Sequence, residues 1–98
     1  MARLIWSPQA AGDLTSICEF IAHDSAEYAA EFATRVMASV EILREFPGAG
    51  RVVPEFEEQA VRELVLGSYR IIYEAGPDTV SILTIHHSAR RLRHRPKP

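Results

Sequence analysis

A β-hairpin is the feature that most constrains the fold of this chain. Two runs rich in Val, Leu, Ile and Tyr flank Gly67 and Ser68 within residues 61–74. A glycine at the first central position is what a two-residue type II′ turn requires, because that position needs a positive φ. Such a turn predicts the register of the two strands and places Val65 opposite Arg70.

A third strand is predicted over residues 79–87, and a four-residue loop would pair Glu74 with Thr79. The alternation along the three strands then defines two faces. The more apolar face is expected to pack on a core, and the other is interpreted as open to water or to a partner, as is common in antiparallel sheets. The predicted core face carries Leu64, Leu66, Tyr69, Ile71, Tyr73, Val80, Ile82 and Thr84, with Arg62 and His86 at its ends. The predicted open face carries Glu63, Arg70, Glu74, Thr79, Ser81 and His87 among Val61, Val65, Ile72, Leu83 and Ile85.

The N-terminal part predicts a short strand followed by two helices. A strand over residues 3–6 leads into a helix with Ser7 as N-cap and Pro8 as its first residue, running to about His23. In the second helix, Asp24 is expected to be the N-cap and the helix to run to about residue 46. The short link between them indicates an αα-hairpin.

The remaining segments carry less regular signals. Residues 48–59 have no sustained period and are interpreted as a loop, and the basic tail over about 90–98 is expected to fray. The chain has 98 residues, which suits a single domain over 1–98. With one cysteine, Cys18, there is no internal disulfide, and no apolar run suits a signal peptide or a membrane span. A cytoplasmic protein is expected.

The charge is unevenly distributed along the chain. Residues 1–60 hold four Arg against ten Asp and Glu, whereas residues 61–98 hold seven Arg and Lys against three acids. An anionic partner would therefore meet the C-terminal part, although a solvated tail without a partner explains the same pattern. No phosphate-binding loop, nucleophile motif or metal-ligand spacing is present, so we expect no cofactor, no metal and no small-molecule substrate.

An ordered set of short motifs resembles the RelE/ParE family of bacterial toxins. The set comprises Ser7-Pro8, Pro47, Gly50-Arg51, Pro54-Glu55, Arg62-Glu63-Leu64, Tyr69-Arg70-Ile71-Ile72-Tyr73 and Ile82-Leu83-Thr84-Ile85-His86-His87. The resemblance implies an α+β fold of order β-α-α-β-β-β, in which an αα-hairpin packs on an antiparallel sheet. It also implies the toxin of a type II toxin-antitoxin module, with a cognate antitoxin as partner.

The family contains two activities, which leave the target open. RelE-like members cleave mRNA in the ribosome, whereas ParE-like members inhibit DNA gyrase. This chain is more similar to the ParE-like branch, through the spacing of its two hairpin motifs and through His87 being followed by Ser88-Ala89-Arg90. A gyrase inhibitor used in plasmid stabilisation is therefore expected first, a ribosome-dependent endoribonuclease second, and an inactive toxin fold that only binds its antitoxin third.

Two sets of residues are predicted to carry function. If the protein is a nuclease, Glu63, His87 and Arg70 supply the base, the acid and the cation that cleavage by the 2′-OH of RNA needs. The alternative for Glu63 and Arg70 is an ion pair on the surface of the sheet. If the protein only binds partners, no residue is catalytic, and the antitoxin is expected to cover the open face. The predicted partner-binding residues are Arg70, His87, Arg90, Arg91, Ile72 and Leu83.

Overall fold

The computed structural model describes residues 1–98 and contains two helices and one mixed sheet. The elements in chain order are β1 (Arg3–Trp6), α1 (Pro8–Asp24), α2 (Ala26–Ile42), β2 (Arg51–Val52), β3 (Val61–Leu66), β4 (Tyr69–Ala75) and β5 (Thr79–His87). The sheet has the strand order β1-β5-β4-β3-β2. Its first strand is parallel to β5, and all other neighbours are antiparallel. The predicted α+β class and helical hairpin are confirmed. Neither helix has the length and apolar character needed to cross a bilayer.

The hairpin of β3 and β4 has the predicted register, with Val65 opposite Arg70 and Leu66 opposite Tyr69. Gly67 has a φ of 58°, the positive value that the turn requires and that glycine adopts without a steric cost. The predicted core face is confirmed at Ile71 and Ile82, which are buried in one cluster with Val36 and Val40 of α2.

The helix caps differ from the prediction at one position. Ser7 caps α1 as predicted, and its Oγ accepts the N–H of Ala10 at 2.9 Å. The cap of α2 is Ser25 and not Asp24: its extended backbone ends α1, and its Oγ accepts the N–H of Tyr28 at 3.1 Å. A single residue thus serves both helix ends. The second helix ends at Ile42, four residues before the predicted end.

A β-bulge at Leu83 overturns the predicted register of the third strand. Near the turn, Glu74 pairs with Ser81 and not with Thr79. Tyr73 then pairs with Ile82 but Ile72 pairs with Thr84, which leaves Leu83 as an extra residue. The strand changes faces there because its side chains alternate with period two. The segment beyond the bulge is therefore assigned to the wrong faces in the prediction, which concerns Thr84, Ile85, His86 and His87.

The second face of the sheet is not open. A cluster of Val53, Val61, Ile72, Leu83 and Leu92 covers it, with Phe56 packed alongside. Its cover comes from the two segments predicted to be irregular: the loop over 48–59, which also contributes β2, and the C-terminal tail. Arg95 in the tail forms ion pairs with Glu58 and with Glu74. The tail is a docked strap, and the expectation that it frays is wrong.

One buried tyrosine joins β4 to the segment that follows α2. The Tyr73 hydroxyl donates to the carbonyl oxygen of Pro47 and accepts the N–H of Gly50, both at 2.8 Å. Burial raises the pKa of Tyr73, so the hydroxyl keeps its proton. A Cβ at Gly50 would lie 2.5 Å from the carbonyl oxygen of Glu63, so any residue other than glycine would collide with the backbone there.

We expect Tyr73→Phe to lower the free energy of unfolding by about 1–3 kcal/mol, because two buried backbone groups lose their partner. Urea denaturation measures the loss. Tyr28→Phe is the matched control, since Tyr28 is 68% exposed and its change should leave the midpoint within error. Equal midpoints for the two variants would contradict a structural role for the Tyr73 hydroxyl.

Candidate functional site

The predicted charged pair on the hairpin is part of a chain of four ionic side chains, of which only Arg51, at one end, is largely exposed. Arg70 Nε lies 2.5 Å from Glu63 Oε1, and both of its terminal nitrogens lie 2.8 Å from the Glu55 carboxylate. The second Glu63 oxygen, Oε2, lies 2.5 Å from Arg51 Nε. Glu63 is 1% and Arg70 is 6% exposed. The pair is therefore not the surface pair that the sequence offered as an alternative.

The ion pairs shift the pKa values of Glu55 and Arg70 in the directions that pairing requires. The bidentate hydrogen bonds from Arg70 lower the pKa of Glu55 to about 2, from an ordinary 4.5. Pairing with Glu55, and then with Glu63, raises the pKa of Arg70. Glu55 Oε2 also accepts the N–H of Leu92 at 3.1 Å, so the same carboxylate anchors the strap. All these contacts stabilise charged forms and tie the loop, the hairpin and the tail together.

His87 lies apart from the other two nuclease candidates. It pairs with Tyr69 across the strands, and the two rings meet edge-on with centroids 5.3 Å apart. Tyr69 in turn contacts Phe32 of α2, which places His87 on the helix-covered side of the sheet. The N–H of Ala89 donates to His87 Nδ1 at 3.1 Å, which leaves Nε2 as the protonated nitrogen of the neutral ring. Because of the bulge, His86 and not His87 is opposite Arg70.

The predicted partner-binding residues also divide into two groups. Ile72 and Leu83 are fully buried under the strap, and Arg70 is held by two carboxylates. A partner could reach these three residues only by displacing the protein's own tail and loop. His87, Arg90 and Arg91 are exposed and remain available for binding.

A groove of about 620 Å³ lies between α1 and the last part of β5. Gln9, Asp13, Ile17 and Phe20 follow one side of α1 and form one wall. The other wall and the end of the groove are formed by Tyr69, Thr84, Ile85, His86, His87, Ala89 and Arg90. The groove combines apolar side chains with exposed cationic ones at a single edge of the sheet. It is the candidate functional site of the molecule.

Asp13 is the residue of this groove whose role the sequence did not reveal. Its Oδ2 accepts the hydroxyl of Thr84 at 2.5 Å and the backbone N–H of Ile85 at 3.0 Å. Its Oδ1 accepts Gln9 Nε2 at 2.7 Å. The carboxylate thus occupies one backbone donor, the Ile85 N–H, on the outer edge of β5. In the sequence, only the helical spacing of Gln9, Asp13 and Ile17 indicates that these side chains share one face.

The fold first identifies the class of protein. The structure matches a chain of the chromosomal ParDE TA system from P. aeruginosa with a TM-score of 0.72, over 89% of this chain and 96% of that one, at 24% sequence identity. The molecule therefore has the fold of the small α+β proteins of such a system.

Sequence comparison then identifies the family. The model of the ParE toxin of the type II toxin-antitoxin system parDE matches residues 4–92. Toxin RelE2 of Caulobacter vibrioides is 34% identical over 91 residues, which cover 92% of this chain and 99% of that protein. The protein Y4kP of Sinorhizobium fredii is 34% identical over 88% of both chains. The chain belongs to the ParE toxins of the RelE/ParE family.

Proposed function

We propose that the protein arrests bacterial growth by inhibiting DNA gyrase, and that a cognate antitoxin neutralises it. Membership of the ParE toxins supports the first part of this proposal. A toxin of a type II module works with an antitoxin, which supports the second part. Inhibition of gyrase requires a docking surface on the toxin but no chemistry by its side chains.

The placement of the three nuclease candidates is the observation that carries a non-catalytic mode of action. A general base must reach the proton it abstracts, at about 2.6–3.2 Å from the heavy atom that carries it. Glu63 is buried and both of its oxygens are bound to arginines. All three nitrogens of the Arg70 guanidinium bind the carboxylates of Glu55 and Glu63, and His87 belongs to the opposite face. These side chains hold the fold together and do not converge on one phosphate.

Ribosome-dependent cleavage of mRNA is the second candidate function. It is supported by a different set of side chains at the groove: the exposed His87, Tyr69 beside it, and Arg90 nearby. These could supply an acid, an aromatic surface for a base and a cation for a phosphate. This alternative assigns catalysis to the groove and a structural role to Glu63 and Arg70.

Two assays with the purified toxin distinguish these candidates. One measures supercoiling of relaxed plasmid by gyrase, and the other measures cleavage of a defined mRNA on translating ribosomes. We expect inhibition of supercoiling, its relief by the antitoxin, and intact mRNA. His87→Ala and Arg90→Ala should each weaken inhibition less than about 100-fold, because removing a binding contact costs far less than removing a catalytic group.

Cuts at defined codon positions with normal supercoiling would contradict the gyrase proposal and favour the groove residues as catalytic. The control is Arg35→Ala on the outer side of α2, which lies outside the groove and should inhibit like the unchanged toxin. Each variant is first compared by its urea midpoint, so that a loss of folding is not taken for a loss of binding.

A further inference from the structure

Beside the end of β5, from Thr84 onward, the sheet has an unoccupied strand position, which we call the lane. The first strand runs parallel to β5 from the pair Arg3 and Thr79 to the pair Trp6 and Ile82, and then turns into α1. Ser7 completes the contact: its N–H donates to the Ile82 carbonyl at 2.9 Å, and its hydroxyl donates to the Leu83 carbonyl at 2.8 Å. From Thr84 onward, the outer edge of β5 faces the groove instead of a strand.

The backbone groups that point into this lane follow from the alternation of the ladder. The N–H of Ser88 donates to the Ser68 carbonyl at 2.7 Å, on the side of the hairpin. The N–H of Ile85 donates instead to Asp13, on the side of the groove. Since successive residues of an antiparallel pair alternate in direction, His87 also directs its N–H and C=O toward the groove.

The four backbone groups that point into the lane are the N–H and the C=O of Ile85 and of His87. Two of them are already bound within the protein. Asp13 binds the Ile85 N–H, and the Arg90 N–H donates to the His87 carbonyl at 3.0 Å. This leaves one acceptor, the Ile85 carbonyl, and one donor, the His87 N–H, on the same edge and two residues apart. In a parallel pair, each residue that faces a residue of the neighbouring strand can make two hydrogen bonds to that strand. It donates its N–H to the carbonyl of the residue before the one it faces, and its carbonyl accepts the N–H of the residue after.

Building on the proposed function, we propose that an extended segment of the cognate antitoxin adds to the sheet in this lane as a short strand parallel to β5. One antitoxin residue faces His86, donates its N–H to the Ile85 carbonyl and accepts the N–H of His87. The segment thus lies along β5 beyond the point where the pairing with β1 ends, next to Ser7. Strand addition to an exposed sheet edge is a general mode of peptide binding.

The side chains around the lane define the chemistry of this segment. Ile17 and Phe20 form an apolar wall, and Phe20 is 74% exposed, so its ring is accessible to a bound segment. Arg90 forms a cationic end beside the His87 ring, within residues 61–98, which carry seven basic against three acidic residues. We infer that the segment carries an apolar side chain for Phe20 and an acidic side chain for Arg90.

Residue-resolved hydrogen exchange on the full toxin tests this inference. The probe is the purified cognate antitoxin, which we expect to be encoded by a small open reading frame beside the toxin gene. We expect the His87 amide to exchange quickly in the free toxin and at least tenfold more slowly in the complex. The Ser88 amide is the internal control, because it is bonded to Ser68 in both states. An equally fast His87 amide in a stable complex would overturn the inference and leave the proposed function intact.

A matched pair of variants tests the apolar wall. Phe20→Ala should raise the Kd of the complex at least tenfold, whereas Tyr28→Ala, which removes an exposed aromatic ring outside the groove, should leave it within about twofold. Equal effects of the two variants would overturn the inference. If the unchanged toxin forms no complex with the probe, the proposed antitoxin partnership itself fails, and the inference fails with it.

Discussion

Arg70→Ala is expected to lower the free energy of unfolding by about 3–5 kcal/mol, because removing one partner leaves a buried charge without compensation. Glu63 would keep a carboxylate that is 1% exposed, and Glu55 would lose both of its hydrogen bonds from the guanidinium. For a small domain with a total stability of about 5–15 kcal/mol, this is a large fraction. Urea denaturation followed by circular dichroism measures the loss.

Arg51→Ala is the matched control for this prediction. Arg51 pairs with the same Glu63, but its side chain is 67% exposed, so the pair is screened by water. We expect a loss of at most about 1 kcal/mol. If Arg70→Ala unfolded at the same urea concentration as the unchanged protein and yet lost toxicity, Arg70 would be a partner contact, as the sequence predicted, and not a structural one.

The second large effect is a loss of unfolding free energy at low pH. The pKa of Glu55 is lowered from 4.5 to about 2 in the folded protein. Its contribution to stability is therefore complete above about pH 4.5 and is lost as the pH falls toward 2, because the unfolded chain takes up the proton first. The shift corresponds to roughly 3 kcal/mol in all, of which about 2 kcal/mol should be gone by pH 3.

Comparison with Glu55→Gln isolates this effect from the other carboxylates. The difference in unfolding free energy between the unchanged protein and Glu55→Gln should shrink between pH 6 and pH 3. Glu57→Gln, a change at an exposed glutamate of the same loop, should give a curve parallel to that of the unchanged protein. A difference for Glu55→Gln that stays constant with pH would show that Glu55 is not held in its charged form by Arg70.

The parts of the fold that were predicted from sequence are those with a local physical cause. The hairpin register follows from a glycine at a position that needs a positive φ, and the start of α1 follows from Ser7 and Pro8. The bulge at Leu83 has no such signal, because Ile82-Leu83-Thr84-Ile85 is nearly uniformly apolar and supports either alternation. Because of this one extra residue in the strand, His87 lies on the face opposite to the predicted one.

The site was predicted less well than the fold, because its residues come together only through the tertiary structure. A lone arginine on a strand indicates an exposed face, and the carboxylate that buries Arg70 comes from Glu55 in a loop without periodicity. Leu92 lies among arginines, so its neighbours suggest a solvated tail although the side chain completes a buried cluster. Asp13 binds the edge of β5, although its helix precedes that strand by most of the chain.

The pairing of β1 with β5 has a consequence for the order in which the chain can fold. The first strand of the sheet binds the last one, and Leu92, close to the C-terminus, completes the second cluster. Because a ribosome makes the N-terminal part first, β1 has no strand to pair with until β5 has been synthesised and has left the ribosome. The sheet therefore closes late, and the edge of β1 stays unpaired while the helices and the hairpin can already form.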